Sequence, residues 1–126
     1  MWRVRMRLQE SGEMYLKTIL LLSEKQDVVR GLDIANRMGF SKPSVSRAVG
    51  ILKNEGYINV DDDNHITLTN EGYDIAIKIR DRHLAITNML TSLGVGYDIA
   101  DSDACRIEHV ISDETYEAIK KAFKNK

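Results

Sequence analysis

The architecture turns on Gly31-Leu-Asp-Ile-Ala-Asn-Arg-Met38-Gly39-Phe40-Ser41-Lys42-Pro43-Ser44-Val45-Ser46-Arg47-Ala48-Val49-Gly50-Ile51-Leu52-Lys53-Asn54-Glu55-Gly56. Its first eight residues predict a short helix stopped by Gly39, and Phe40-Ser41 forms a tight connection. A second helix then starts with Pro43 near its first turn, where a missing N–H does no harm. Val45, Ala48, Val49 and Leu52 share one face of it at i, i+3, i+4 and i+7, and Gly56 ends it. Helix, glycine-bearing turn and helix within about 25 residues fit a helix-turn-helix.

Downstream, Tyr57-Ile-Asn-Val60 and His65-Ile-Thr-Leu68 alternate apolar and polar residues around Asp61-Asp-Asp-Asn64. That pattern predicts a β-hairpin with a polar tip, and a hairpin directly after a helix-turn-helix is the winged-helix arrangement. Upstream, Glu13-Met-Tyr-Leu-Lys-Thr-Ile-Leu-Leu-Leu22 reads as a helix with Ser11 as its N-cap. A long helix from Asn70 to Leu93, closed by Gly94, follows the hairpin, then helices near Asp98–Ile111 and Asp113–Lys124. The expected fold class is mainly α with a small β-hairpin, an N-terminal winged helix-turn-helix followed by a helical domain. The domains are expected at 1–72 and 73–126.

In a helix-turn-helix the start of the second helix enters the major groove of double-stranded DNA. Here that end offers Ser41, Lys42, Pro43, Ser44, Ser46 and Arg47, while Val45, Ala48 and Leu52 face inward. Short hydroxyls at a helix N-terminus suit phosphate oxygens. Arg47, one turn in, is placed to reach a guanine edge. The same residues on any solvated surface helix would mean nothing more than good capping; the adjoining hairpin tips the reading toward DNA. Asp61, Asp62 and Asp63 would repel phosphates, so the wing tip is expected to lie away from the backbone. Arg3, Arg5 and Arg7 are alternative phosphate contacts, or equally a frayed, solvated terminus.

Charge supports two lobes of different task. Residues 1–60 hold ten Lys/Arg against six Asp/Glu, a balance of +4; residues 61–126 hold eight against thirteen, or −5. The composition, 43% hydrophobic and 29% charged, is that of an ordinary soluble protein. No apolar run approaches the roughly 18 residues of a membrane span. The basic start lacks an apolar signal core, and one cysteine points to a reducing cytoplasm.

That cysteine lies in Cys105-Arg-Ile-Glu108-His109, with thiol, carboxylate and imidazole at i, i+3 and i+4. On a helix the three share one face, and they are donors that a first-row divalent ion accepts. Each alone has a plainer reading: a buried thiol, a satisfied histidine, a solvated acid. A thiol enzyme using Cys105 with His109 is disfavoured, because Cys–His catalysis needs an oriented base and an oxyanion site, and no glycine-rich loop adjoins this pair. The chain is therefore read as a non-enzyme. Three ligands leave an ion under-coordinated, and Met14, a soft thioether early in the first helix, is a candidate fourth.

The order Glu13-Met-Tyr-Leu-Lys-Thr-Ile19, winged helix, Arg82-His83-Leu84, then Asp103-Ala-Cys-Arg-Ile-Glu-His-Val-Ile-Ser-Asp113 resembles the diphtheria toxin repressor family over nearly the whole chain. The resemblance implies a metal-dependent, homodimeric transcriptional repressor, with a winged-helix domain, a helical dimerisation domain and metal bound between them. By that likeness Met14, Cys105, Glu108 and His109 match the regulatory site of the iron-responsive branch, and His83 matches a histidine of a second site. Manganese-branch members carry carboxylates where Met14, Lys17 and Cys105 stand. Thr87 and Asp101 stand where the iron branch has a glutamate and a histidine; Thr87 would be a poor donor, whereas Asp101 could still ligate. By the same likeness the chain is expected to be a short form, without the SH3-like domain of longer members. The implied cofactor is Fe²⁺, with Mn²⁺, Co²⁺, Ni²⁺ or Zn²⁺ as further candidates, and the implied partners are operator DNA and a second copy, with no membrane and no organic cofactor. The alternative is a winged-helix regulator with a degenerate or structural metal site and another signal. The dimer surface is expected on Ile75, Ile79, Val110, Ile119 and Phe123.

Overall fold

The structure is a computed structural model that describes residues 10–123. The elements run α1 (Glu10–Ser23), α2 (Gly31–Met38), α3 (Lys42–Asn54), β1 (Ile58–Val60), β2 (Ile66–Leu68), α4 (Asn70–Ser92), α5 (Tyr97–Ile107) and α6 (Asp113–Ala122). The chain divides into two compact units, residues 1–77 and 78–126, with α4 beginning in the first and ending in the second. Arg3, Arg5 and Arg7 lie outside the described residues.

In the first unit, local chemistry sets the helix-turn-helix. The Asp33 carboxylate accepts from the Arg30 N–H at 2.9 Å, one half of a capping box at the start of α2. Gly39 ends α2 at φ 73°, the left-handed cap that glycine adopts without strain, and its N–H donates to Ala35. Ser41 caps α3, its Oγ accepting from the Ser44 N–H at 3.2 Å. Val45 and Leu52 are buried against Leu16 and Ile19 of α1, Ile34 of α2 and Ile58 and Ile66 of the hairpin in one core. Each such side chain contributes about 1.5–3 kcal/mol through burial.

The hairpin pairs Ile58 with Leu68, Asn59 with Thr67 and Val60 with Ile66. The Val29 carbonyl accepts from the Ile66 N–H at 2.8 Å, tying the segment before α2 to β2. At the tip, Asp61 Oδ1 accepts from the N–H groups of Asp63 and His65, both at 2.9 Å, and Asn64 turns at φ 65°. Those backbone donors, that of His65 first, hold the Asp61 carboxyl below the usual range. Gly72, in the first turn of α4, approaches Tyr57 so closely that a Cβ there would stand 2.0 Å from the Tyr57 carbonyl oxygen.

In the second unit, α5 starts after Gly94 (φ 100°), and Ser112 caps α6 by accepting from the Thr115 N–H at 3.1 Å. Arg82 of α4 is buried. It donates to the Ile111 carbonyl at 2.6 Å and to Asp113, and lies 5.6 Å from the Tyr116 ring centroid. This one guanidinium fastens the start of α6 to α4.

Four sequence expectations need correction. Ser11 is inside α1 and does not cap it. The strands are three residues each, and Tyr57 and His65 lie outside them. Helix α5 ends at Ile107, so Glu108 is its cap and His109 lies in the turn beyond. Ile79 is 2% exposed and Ile75 packs against the winged-helix core, so neither offers an open face; among the described residues, the large exposed apolar side chains of the second unit are Leu84, Leu93, Tyr97, Ile99 and Val110.

Candidate functional site

Two sets of side chains stand out, one in each unit. In the first, Ser41, Lys42, Pro43, Ser44, Ser46 and Arg47 are all exposed, while Val45 beside them is buried. The helix thus presents a hydroxyl- and cation-bearing face and keeps its apolar face in the core. Ser41 and Ser44 also share a hydrogen bond through their hydroxyls at 2.9 Å. Lys42 and Ser46 line a shallow groove with Leu32 of α2 and Asn64 of the hairpin tip. Leu32 and Asn64 carry no sequence signal for this role; only the folded turn brings them beside α3.

In the second unit the donors converge on His83, which α4 supplies. Its Nδ1 lies 2.8 Å from Glu108 Oε1 and 3.7 Å from Cys105 Sγ. Its Nε2 lies 2.7 Å from Asp101 Oδ1. Asp101 and Cys105 are one turn apart on α5 and so share a face. On the other side of Glu108, His109 Nε2 is 3.1 Å from Oε2. Cys105, Glu108, His109 and His83 are therefore together, as is Asp101, and His83, Asp101 and Cys105 each offer a donor atom within 4.8 Å of the others. Met14 is half-buried on α1, in the first unit.

The Glu108 side chain is fully buried and that of His109 is 3% exposed. A buried carboxylate is costly unless charge or hydrogen bonds compensate it, and here imidazoles face both of its oxygens. A neutral His83 with its proton on Nε2 would put a lone pair against Oε1, so a proton or a cation belongs between them. Thiolate, carboxylate and imidazole donors packed this closely fit a first-row divalent ion.

The fold is that of a winged-helix protein with a helical unit bearing a metal-type donor cluster. Residues 7–66 match the family model described as the iron dependent repressor N-terminal DNA binding domain, and residues 69–125 that of the iron dependent repressor metal binding and dimerisation domain. The chain belongs to the iron-dependent repressor family. It is 38% identical over 109 residues to the diphtheria toxin repressor of Corynebacterium glutamicum, covering 85% of this chain and 47% of that protein. It is 35% identical over 106 residues to the transcriptional regulator MntR of Escherichia coli O6:H1, covering 84% of this chain and 68% of the other. The structure of the manganese regulator SloR superposes with a TM-score of 0.80 at 31% identity, over 88% of this chain and 52% of that one. The chain spans about half the length of the first of these relatives. Among the described residues, no helix is long and apolar enough to cross a membrane.

Proposed function

We propose that the chain is a cytoplasmic, metal-dependent transcriptional repressor that binds operator DNA as a homodimer when a divalent ion is held by Cys105, Glu108 and His109 together with Met14. The observation that carries this reading is the meeting of the Cys105 thiol, the buried Glu108 carboxylate and two imidazoles inside the segment that matches the family's metal-binding domain. The inclusion of Met14 rests on its match to the family pattern. Fe²⁺ is the favoured ion, since thiol and thioether make the softer donor set; Mn²⁺, Co²⁺, Ni²⁺ or Zn²⁺ are alternatives, with affinities rising along the Irving–Williams order.

A bound divalent ion would supply positive charge at Glu108 and a rigid tie among its donors. The rest is done by the chain. Residues 1–72 act as the DNA-binding domain, with Ser41, Lys42 and Ser44 on phosphates, Ser46 and Arg47 toward base edges, and Pro43 setting the helix start. Residues 73–126 act as the metal-binding and dimerisation domain, with Leu84, Tyr97, Ile99 and Val110 as exposed apolar surface available to a second copy. Tying Met14 to the second domain fixes the separation of two recognition helices in a dimer, which must match half-sites about one helical turn, ~34 Å, or a multiple apart. Without that tie the competent arrangement is a minor state and apparent DNA affinity falls in proportion.

Selection from a random duplex pool tests the reading. With Co²⁺ present the protein should enrich one inverted-repeat sequence. Enrichment of the same sequence with a chelator present would refute metal control, and no enrichment in either case would refute sequence-specific binding.

A further inference from the structure

We propose that Asp101 is a positioning residue. Its carboxylate holds His83 with the proton on Nε2, so that Nδ1 is the atom offered beside Cys105 and Glu108, and His83 serves the same metal as those two residues. This rests on the metal-dependent reading above and assigns to His83 and Asp101 roles that differ from those of a separate second site.

The geometry carries it. An imidazole presents its two nitrogens in divergent directions, and the two are already divided between partners. Nε2 faces Asp101 Oδ1 at 2.7 Å, a hydrogen-bond distance. Nδ1 faces Glu108 Oε1 at 2.8 Å and Cys105 Sγ at 3.7 Å. Nδ1 therefore points where a carboxylate and a thiol converge, and Nε2 points at Asp101. A metal-bound histidine characteristically donates its other N–H to a carboxylate, which fixes tautomer and ring orientation and raises ligand basicity. Asp101 is built for that task, one turn before Cys105 on α5, its side chain 44% exposed and that of His83 15% exposed.

A separate ion on Nε2 is poorly served. Besides Asp101, the nearby candidate is Thr87, one turn after His83 on α4 and lining the same groove. Its hydroxyl is neutral, and the third donor grouped with His83 and Asp101 is the Cys105 thiol, which lies 3.7 Å from Nδ1. The protein keeps one well-furnished side of His83 and uses the other as a handle.

The test uses the intact chain with Zn²⁺ and Co²⁺ as probes. In ¹⁵N long-range spectra of the Zn²⁺-loaded protein, His83 should carry its proton on Nε2 and the metal-induced shift on Nδ1. Asp101→Ala should weaken Co²⁺ binding by about 10–100-fold, while keeping the wild-type stoichiometry and the thiolate-to-cobalt absorption band. Asp101→Asn, which retains an acceptor oxygen for the Nε2 proton, should recover part of that loss. A metal shift on Nε2 would overturn the proposal. So would an unchanged affinity in Asp101→Ala, or the loss of a whole metal equivalent, which would make Asp101 a ligand of a second ion. Wild-type protein that takes up neither probe would instead bring down the metal-dependent reading itself, a result distinct from all three.

Discussion

His83 Nδ1 and Glu108 Oε1 stand 2.8 Å apart, though 25 residues separate them in the chain. One group is the end of a ring held from behind by Asp101; the other is a carboxylate with no solvent exposure. Helix α4 supplies the ring and the turn after α5 supplies the acid. Their approach makes a polar centre in a unit whose other buried residues include Ile79, Ile86, Ala100 and Ala104.

Replacing Glu108 by Gln should lower Co²⁺ affinity by more than about 100-fold. If Glu108 is the direct ligand proposed, its loss must exceed the 10–100-fold cost of losing a group that only orients a ligand. The amide removes the charge and keeps the volume, so the far-ultraviolet dichroism should be that of wild type. Isothermal titration checks the affinity.

Gly72→Ala should destabilise, against the sign that helix propensity gives. Propensity alone would reward alanine by about 1 kcal/mol inside a helix. The added Cβ, however, would meet the Tyr57 carbonyl oxygen at 2.0 Å, and that oxygen is backbone and cannot swing aside. A net loss of about 1–3 kcal/mol is expected from the forced shift, read as a lower urea midpoint. A stabilised variant would mean that α4 and the residue before β1 do not pack as described.

Asp113 makes stability depend on acid. Its hydrogen bond to Lys78, with the charges of Lys78 and Arg82, holds its carboxyl below the ordinary value of 3.8. A carboxyl whose pKa is lower in the folded state contributes stability above its unfolded pKa, and that contribution is lost as pH falls through the folded one. Asp113→Asn should therefore unfold at lower urea than wild type near neutral pH, and the gap should close below about pH 4. A gap independent of pH would assign the effect to helix capping at α6 and not to charge.

On the face proposed to meet DNA, Arg47→Ala should cost about 1–3 kcal/mol and relax base preference at one position, whereas Lys42→Ala should weaken all duplexes alike and reduce the salt slope by about one. Anisotropy titrations at several salt concentrations separate the two.

The helix-turn-helix and wing were legible because short-range rules write them. Gly39 and Ser41 are caps, Val45 and Leu52 mark a helix face, and alternation marks the strands. Membership of the metal-binding family was legible in the run from Asp103 to Asp113. The end of α5 was not, since nothing between Cys105 and Ser112 breaks a helix by composition; Glu108 and His109 leave it to turn the chain toward α6. Nor was the grip of Asp101 on His83, a pairing 18 residues apart that depends on how α5 docks against α4. Gly72 looked like an ordinary helix residue until Tyr57 was beside it. Ile79 read as a spare apolar face because periodicity reports amphipathicity and not which surface covers it.

Metal-gated DNA binding is tested most directly by one thermodynamic cycle on the selected duplex. DNA affinity is measured with Co²⁺ and with chelator, and Co²⁺ affinity with and without DNA, for wild type and Cys105→Ser. Coupling between the two ligands should tighten each by the same factor, about 5–150-fold, and Cys105→Ser should abolish it. Equal DNA affinity with and without Co²⁺, in a protein that demonstrably binds both, would contradict the account.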